Sequence, residues 1–147
     1  MLVLVWSILA RGVESPMRIM RDIEYVPSGH ERQKLDLYLP AEPRDQNKPL
    51  PLIIWVQGDA WMGGSKEGCP ALRFVQRGYV VASINHRLSQ HTVFPAQIKD
   101  CKATVRWLRA NAKKYGIDPE RIGVCLSWRK QRCWLSSLAA FRTRWRG

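Results

Sequence analysis

The chain has 147 residues, 46% hydrophobic and 24% charged, which is enough for one compact domain with its own core and too short for two full-sized ones. Aliphatic runs such as Pro51–Val56 and Tyr79–Ile84 exclude disorder throughout, no apolar stretch reaches the ~18–20 residues of a membrane-spanning helix, and four cysteines are far below the density of a disulfide miniprotein. Half of the formal charge of +12 lies in Cys125–Gly147, which holds six basic residues and no acidic one, so the excess is largely a property of a tail and nucleic acid is not assigned as a partner.

Leu2–Ala10 is a short apolar run without the basic residues that normally precede an export signal. Three readings stay open for it: a trimmed export signal, a buried strand, or a start codon placed too far upstream. Asp22–Val26 and Lys34–Leu39 have strand patterning and are separated by the turn-rich Pro27-Ser28-Gly29-His30. They predict an antiparallel hairpin, with Leu35, Leu37 and Leu39 on one face and Lys34, Asp36 and Tyr38 on the other. The polar stretch Ala41–Pro51 carries three prolines and predicts an exposed loop. Leu52–Val56 is apolar without alternation, as expected of a strand covered on both faces.

Gln57–Gly68 is glycine-rich and predicts a loop. A short helix follows over Pro70–Gln76, stopped by Gly78, and Tyr79–Asn85 is the next buried strand. After the polar loop Arg87–Val93 comes the clearest helix, Pro95–Tyr115. Its apolar stripe is Ile98, Cys101, Val105, Leu108 and Ala112, with Lys99, Lys102, Arg106, Arg109 and Lys113 beside it facing water. Gly116 ends the helix, Ile117–Glu120 is a turn, and Arg121–Val124 begins a third buried strand. Alternating strands and helices with short connections predict an α/β fold: a mostly parallel sheet with an N-terminal antiparallel hairpin and helices on both faces.

In their order and spacing these stretches resemble the α/β-hydrolase family, and within it the carboxylesterases and lipases of the feruloyl-esterase or acetyl-xylan-esterase-like branch. The residues that carry the resemblance are Lys34–Pro40, Pro51–Trp61 with Gly64-Ser65-Lys66, Gly78–Leu88, Phe94–Asp100 and Gly116–Val124. It covers Arg21–Val124. The resemblance implies a partial α/β-hydrolase fold and a serine-dependent ester hydrolysis without cofactor or metal. It also implies that Gln57, Gly58, Asp59, Ala60 and Trp61 form the oxyanion-hole loop, whose backbone N–H groups face the charge developing on a carbonyl oxygen. The family pattern there is His-Gly-Gly-Ala-Trp. This sequence has Gln57 for the histidine and Asp59 for the second glycine, which removes conformational freedom and adds a carboxylate beside a developing anion; the alternative is that Asp59 points to solvent in a variant loop. Cys69 and Cys101 sit where related exported esterases carry cysteines, and two states stay open for them: a disulfide closing a loop of about 33 residues, worth roughly 3–4 kcal/mol, or two buried thiols.

The family nucleophile sits in a Gly-x-Ser-x-Gly elbow directly after the strand that begins at Arg121. The register asks for glycine at 126, serine at 128 and glycine at 130. This sequence has Leu126, Trp128 and Lys130, and no Gly-x-Ser-x-Gly anywhere. The acid and histidine of the triad belong later still, so no catalytic residue is assigned. Cys125–Gly147 reads as an out-of-frame or disordered basic tail, in which Trp134, Leu135, Leu138, Ala139 and Phe141 have the spacing for a turn or two of helix. The organisation is therefore 1–20 leader, 21–124 N-terminal half of a hydrolase domain, and 125–147 tail.

Of the three histidines, His86 and His91 flank one loop, but no cysteine or carboxylate cluster accompanies them, and His86 is assigned a structural role rather than a metal. Arg87, Asp100 and Arg106 read as ion-pairing residues between helix and loop. The expected function is ester hydrolysis by family resemblance, on small ester or carbohydrate-ester substrates in intact relatives, with this chain inactive as written. The alternative is a non-catalytic binding module that self-associates through the sheet edge left open after Val124. The resemblance leans toward export, with the signal segment incomplete.

Overall fold

The computed structural model describes residues 17–42, 48–128 and 132–137, the backbone alone at 127–128 and 132–137. The apolar run Leu2–Ala10 and the segment 138–147 lie outside these residues. The strands are β1 (Met17–Glu24), β2 (Lys34–Pro40), β3 (Leu50–Val56), β4 (Val80–Ile84), β5 (Ile117–Trp128) and β6 (Arg132–Ser137). A 3₁₀ helix, Pro70–Arg77, joins β3 to β4, and helix α1, Ala96–Ala110, joins β4 to β5.

These strands form one sheet in the order β1-β2-β4-β3-β5-β6. The predicted hairpin is present, β1 antiparallel to β2, with a register break between Met20 and Ile23. β4, β3 and β5 are parallel, and β2 joins them antiparallel through β4. β3 is thus central. The chain leaves it toward β4 over one face of the sheet and returns to its other side as β5 over the opposite face, as right-handed crossovers require.

Strand alternation divides the core into two layers. Leu35, Leu37, Leu52, Ile54, Val56, Val80, Ala82 and Ile84 meet Leu108 and Ala112 on the α1 side. Tyr38, Ile53, Trp55 and Val81 meet Ala71 and Val75 of the 3₁₀ helix on the other. The second face of β2 is therefore not a solvent face. Asp36 and Tyr38 are buried on it, because the 3₁₀ helix and the loop before it cover the sheet there.

Cys69 packs in the 3₁₀-helix layer and Cys101 against the α1 layer, with the sheet between them, and both are free thiols. That excludes the disulfide and leaves the two-thiol alternative.

The long helix is shorter than its stripe. α1 ends at Ala110, Asn111 caps it, and a 3₁₀ turn, Lys113–Tyr115, leads into Gly116 at φ 63°. Its most buried positions are Gln97, Asp100, Thr104 and Leu108, whereas Ile98, Cys101 and Val105 are half-buried. The buried edge is rotated from the apolar stripe because Asp100 and Gln97 have hydrogen-bond partners underneath. Thr104 closes on the Asp100 carbonyl.

At the ends the sheet reaches further than the sequence divisions. β1 begins at Met17, inside the predicted leader, and β5 runs through Cys125 to Trp128. The predicted turn at Ile117–Glu120 is kept as a bulge within β5, since Leu50 faces Ile117 and Leu52 faces Ile122. Trp134 and Leu135 lie in β6, a strand and not a helix. β6 pairs antiparallel with β5 from Gly123↔Ser137 to Trp128↔Arg132, so the edge of β5 is occupied. An unpaired strand edge is a template for whatever strand lies nearest, and six residues of the tail meet that requirement.

Candidate active-site loop

The loop 57–68 leaves the carboxyl end of β3, where open α/β sheets bind their ligands. Its first turn is tightly wound. Ala60 donates its N–H to the Gly58 carbonyl at 2.7 Å and Met62 to the Asp59 carbonyl at 2.8 Å. Ala60 and Trp61 have φ of 48° and 63°, a left-handed pair that costs side-chain-bearing residues about 1–2 kcal/mol each. The positive φ falls on these two and not on Asp59, so the glycine missing at 59 is not needed for the backbone. Asp59 is exposed, as in the solvent-facing alternative. Among the described residues the N–H groups of Gly58, Asp59 and Trp61 make no hydrogen bond, whereas that of Ala60 is occupied within the turn.

Gln57 takes the histidine's position and closes the loop. Its Nε2 donates to the Gly63 carbonyl at 2.9 Å, and its Oε1 lies against Gly64, where a Cβ would be 2.6 Å from it. Gly64 also has φ 80°, so glycine is required there by both space and conformation.

Trp61 packs edge-on against the imidazole of His86, ring centroids 4.8 Å apart. His86 is 1% exposed. Its Nδ1 faces the Arg87 carbonyl at 2.9 Å, which places the ring proton on Nδ1. Burial holds its pKa below the usual histidine value, against the favourable Arg87 carbonyl. His86 is thus a packing residue, as expected from the sequence. The structure pairs His91 with His30, centroids 4.8 Å apart, rather than with His86.

Three further anchors hold the loop, none given a role from the sequence, although Lys66 lies in a stretch that carries the resemblance. Arg32, in the β1–β2 turn, donates to the Gly64 carbonyl at 2.8 Å and to the His86 carbonyl at 3.0 Å. Ser89 donates its N–H to the Trp61 carbonyl at 2.8 Å. Lys66, buried at 7% exposure, places its ammonium 2.8 Å from Asp36 and 3.1 Å from Asp22 at the β1 irregularity. Its N–H meets Asn85 Oδ1 and its carbonyl accepts from the Ser83 hydroxyl. Burial lowers the Lys66 pKa, but the two carboxylates outweigh it and the net shift is upward. The available signal was Asp36, a carboxylate between the leucines of β2. Its partner is 30 residues away, a distance that strand periodicity does not report.

Arg87 and Asp100 form the expected ion pair, at 2.7 Å; Arg106 is exposed and takes no part.

Downstream, at 126–128, where the sequence register asks for the first glycine and the serine of the elbow, the described backbone is still strand. Leu126 faces Val56 of β3 on one side and Trp134 of β6 on the other, and the strand continues to Trp128.

Comparison with known proteins agrees with this geometry. Residues 35–127 match the BD-FAE family model. Among curated proteins of Mycobacterium tuberculosis, the chain is 40% identical over 80 residues to esterase LipC, covering 52% of this chain and 20% of LipC. It is 34% identical over 106 residues to esterase LipQ, covering 70% of this chain and 25% of LipQ. The chain thus spans a fifth to a quarter of these relatives. Among solved structures, a truncated carbohydrate esterase from gut microbiota superposes with TM-score 0.60 at 35% identity, covering 74% of this chain and 39% of that one. Esterase B of Lactobacillus rhamnosis, inhibited by a tributyrin phosphonate, superposes with TM-score 0.66 at 27% identity over 77% of this chain and 36% of that one. With the family model matching well over half of its residues and esterase structures superposing on about three quarters of it, this chain belongs to the BD-FAE family and has part of the α/β-hydrolase fold.

Proposed function

We propose that this chain is the oxyanion-forming N-terminal half of a serine ester hydrolase and that the 147-residue polypeptide itself forms no acyl-enzyme. In an intact relative a serine hydroxyl attacks the ester carbonyl, a histidine takes its proton, and backbone N–H donors hold the oxyanion. The groups here suited to the last role are the N–H groups of Gly58 and Asp59, which the turn leaves without an internal acceptor. The substrates are small acyl or carbohydrate esters, in keeping with the esterases and carbohydrate esterase it resembles.

The observation that carries the inactive reading is the straight run of β5 through 126–128. A nucleophile elbow is a sharp strand-to-helix turn that lifts its serine out of the sheet. Here the strand goes on, and its residues are leucine, serine one place out of register, and tryptophan. The family match also ends at residue 127, which supports reading the segment that follows it as out of frame.

The test is turnover of p-nitrophenyl acetate and butyrate by the purified chain, with labelling by a fluorophosphonate. The expected result is background hydrolysis and no covalent adduct. Turnover abolished by the fluorophosphonate would overturn the reading. Reading the coding DNA across codons 120–135 in the other two frames is expected to reveal an elbow serine; its absence from both would refute the frame change.

A further inference from the structure

The outer face of α1 carries one sign of charge. Lys99, Arg106, Arg109 and, in the following 3₁₀ turn, Lys113 are exposed, and Lys102 is half-buried in the same row. At 3.6 residues per turn the four on α1 itself, Lys99, Lys102, Arg106 and Arg109, fall within an arc of about 80° and run for about 15 Å, with Lys113 in the turn that follows. They lie opposite the edge that buries Gln97, Asp100, Thr104 and Leu108. The one carboxylate on the helix, Asp100, is buried and held by Arg87. Among the described residues no ion pair involves Lys99, Arg106, Arg109 or Lys113. Like charges three and four residues apart on a helix oppose its formation, so the row is an arrangement that folding alone does not favour. At the N-terminal end of the same helix, Val93 and Phe94 are 82% and 73% exposed.

We propose that this face of α1, with Val93 and Phe94 at its N-terminal end, docks on an anionic phospholipid bilayer. Rows of four or more lysines and arginines are drawn to the negative surface of such a membrane. The apolar side of α1 is covered by the sheet, so the helix itself does not insert; the exposed valine and phenylalanine supply the apolar contact at the lipid boundary. A soluble polyanion would engage the same cations but leave those two side chains in water. No helix among the described residues is long and apolar enough to cross a membrane, so attachment here is peripheral. The loop carrying Val93 and Phe94 also donates to the Trp61 and Met62 carbonyls, so docking sets the 57–68 loop beside the lipid. The inference is independent of the proposed esterase reading.

Flotation of the purified chain with vesicles tests it, using phosphatidylcholine alone and phosphatidylcholine mixed with phosphatidylserine. Binding is expected only to the mixed vesicles and is expected to weaken as salt rises. Lys99→Gln with Arg106→Gln should lower the partition coefficient about 25-fold, at roughly fivefold per cation. Arg109→Gln with Lys113→Gln should do the same as a second, independent pair, and Phe94→Ser should weaken binding without changing its salt dependence. A triple Arg142→Gln, Arg144→Gln, Arg146→Gln chain should still bind. Equal binding to both vesicle types, or loss confined to the triple tail variant, overturns the proposal. So does tighter binding to heparin or a short RNA that is insensitive to Phe94→Ser, which assigns the row to a soluble polyanion.

Discussion

Arg87 gives Asp100 three hydrogen bonds. Its main-chain N–H and its Nε reach one carboxylate oxygen at 3.0 and 2.9 Å, and its Nη2 reaches the other at 2.7 Å. Gln33, in the β1–β2 turn, adds a fourth donor at 2.8 Å. One side chain on α1 thereby joins the end of β4 and the turn that also supplies Arg32 to the 57–68 loop. A buried carboxylate is stable only while so surrounded, and losing one partner leaves the other charge uncompensated. Arg87→Ala, which strands the buried Asp100 carboxylate, is expected to cost about 3–5 kcal/mol in urea unfolding. The double change Arg87→Met, Asp100→Leu is expected to cost less, since neither charge is then stranded. A double variant as unstable as the sum of the single ones would mean the pair is not coupled.

The same pair sets an acid limit. Burial pushes the Asp100 pKa up, but the Arg87 side chain and main chain and Gln33 outweigh it and hold the carboxyl below its ordinary value of 3.8. A folded pKa below the unfolded one means that the unfolded state binds the extra proton. The contribution is thus complete above the unfolded value and lost as pH falls through it toward the folded one. The melting temperature is expected to drop below about pH 4, with a shallower drop in Asp100→Asn. Identical pH profiles for the two proteins would assign the acid sensitivity elsewhere.

Gly64 is the tightest point of the loop. Gly64→Ala should cost about 1–2 kcal/mol from its positive φ alone, and more from the 2.6 Å approach to Gln57 Oε1. In a Gln57→Ala background the second part disappears. A double-mutant cycle by thermal unfolding is therefore expected to show Gly64→Ala less harmful when Gln57 is absent. Strict additivity would mean that Gln57 moves aside at no cost.

The two thiols should be inert in the folded chain. Burial raises the Cys69 pKa to about 11 and the Cys101 pKa to about 12, the nearby Asp100 carboxylate adding to the rise at Cys101. Reactivity follows the thiolate. Iodoacetamide at neutral pH is expected to leave both unmodified until urea is added, and peptide mapping without reductant should find no peptide linking them. A Cys69–Cys101 bridge in that map would contradict the sheet standing between them.

The strand and helix order was legible in the sequence because it is local. Leu52–Val56 and Tyr79–Asn85 announce buried strands by composition, Gly78 and Gly116 mark the ends of helical segments, and the hairpin before them follows from two patterned runs about a turn-rich break. The family resemblance was legible for the same reason, since its motifs are contiguous. The candidate site was only half legible. Gln57–Trp61 could be named from their motif, but the position carrying positive φ could not, because the turn winds at Ala60 and Trp61 under hydrogen bonds that the sequence does not display.

Tertiary structure alone decided the partners of the buried charges. Lys66 finds Asp36 and Asp22 because β1 and β2 stack beside the loop. Arg32 finds Gly64, and Gln33 finds Asp100, across contacts that no periodicity encodes. It also decided that Cys69 and Cys101 face away from each other, since which side of a sheet a residue takes depends on the layer its element packs in. And it decided the fate of the tail beside β5: residues that could be read as helix became β6, because an open strand edge offers hydrogen bonds that outweigh local preference.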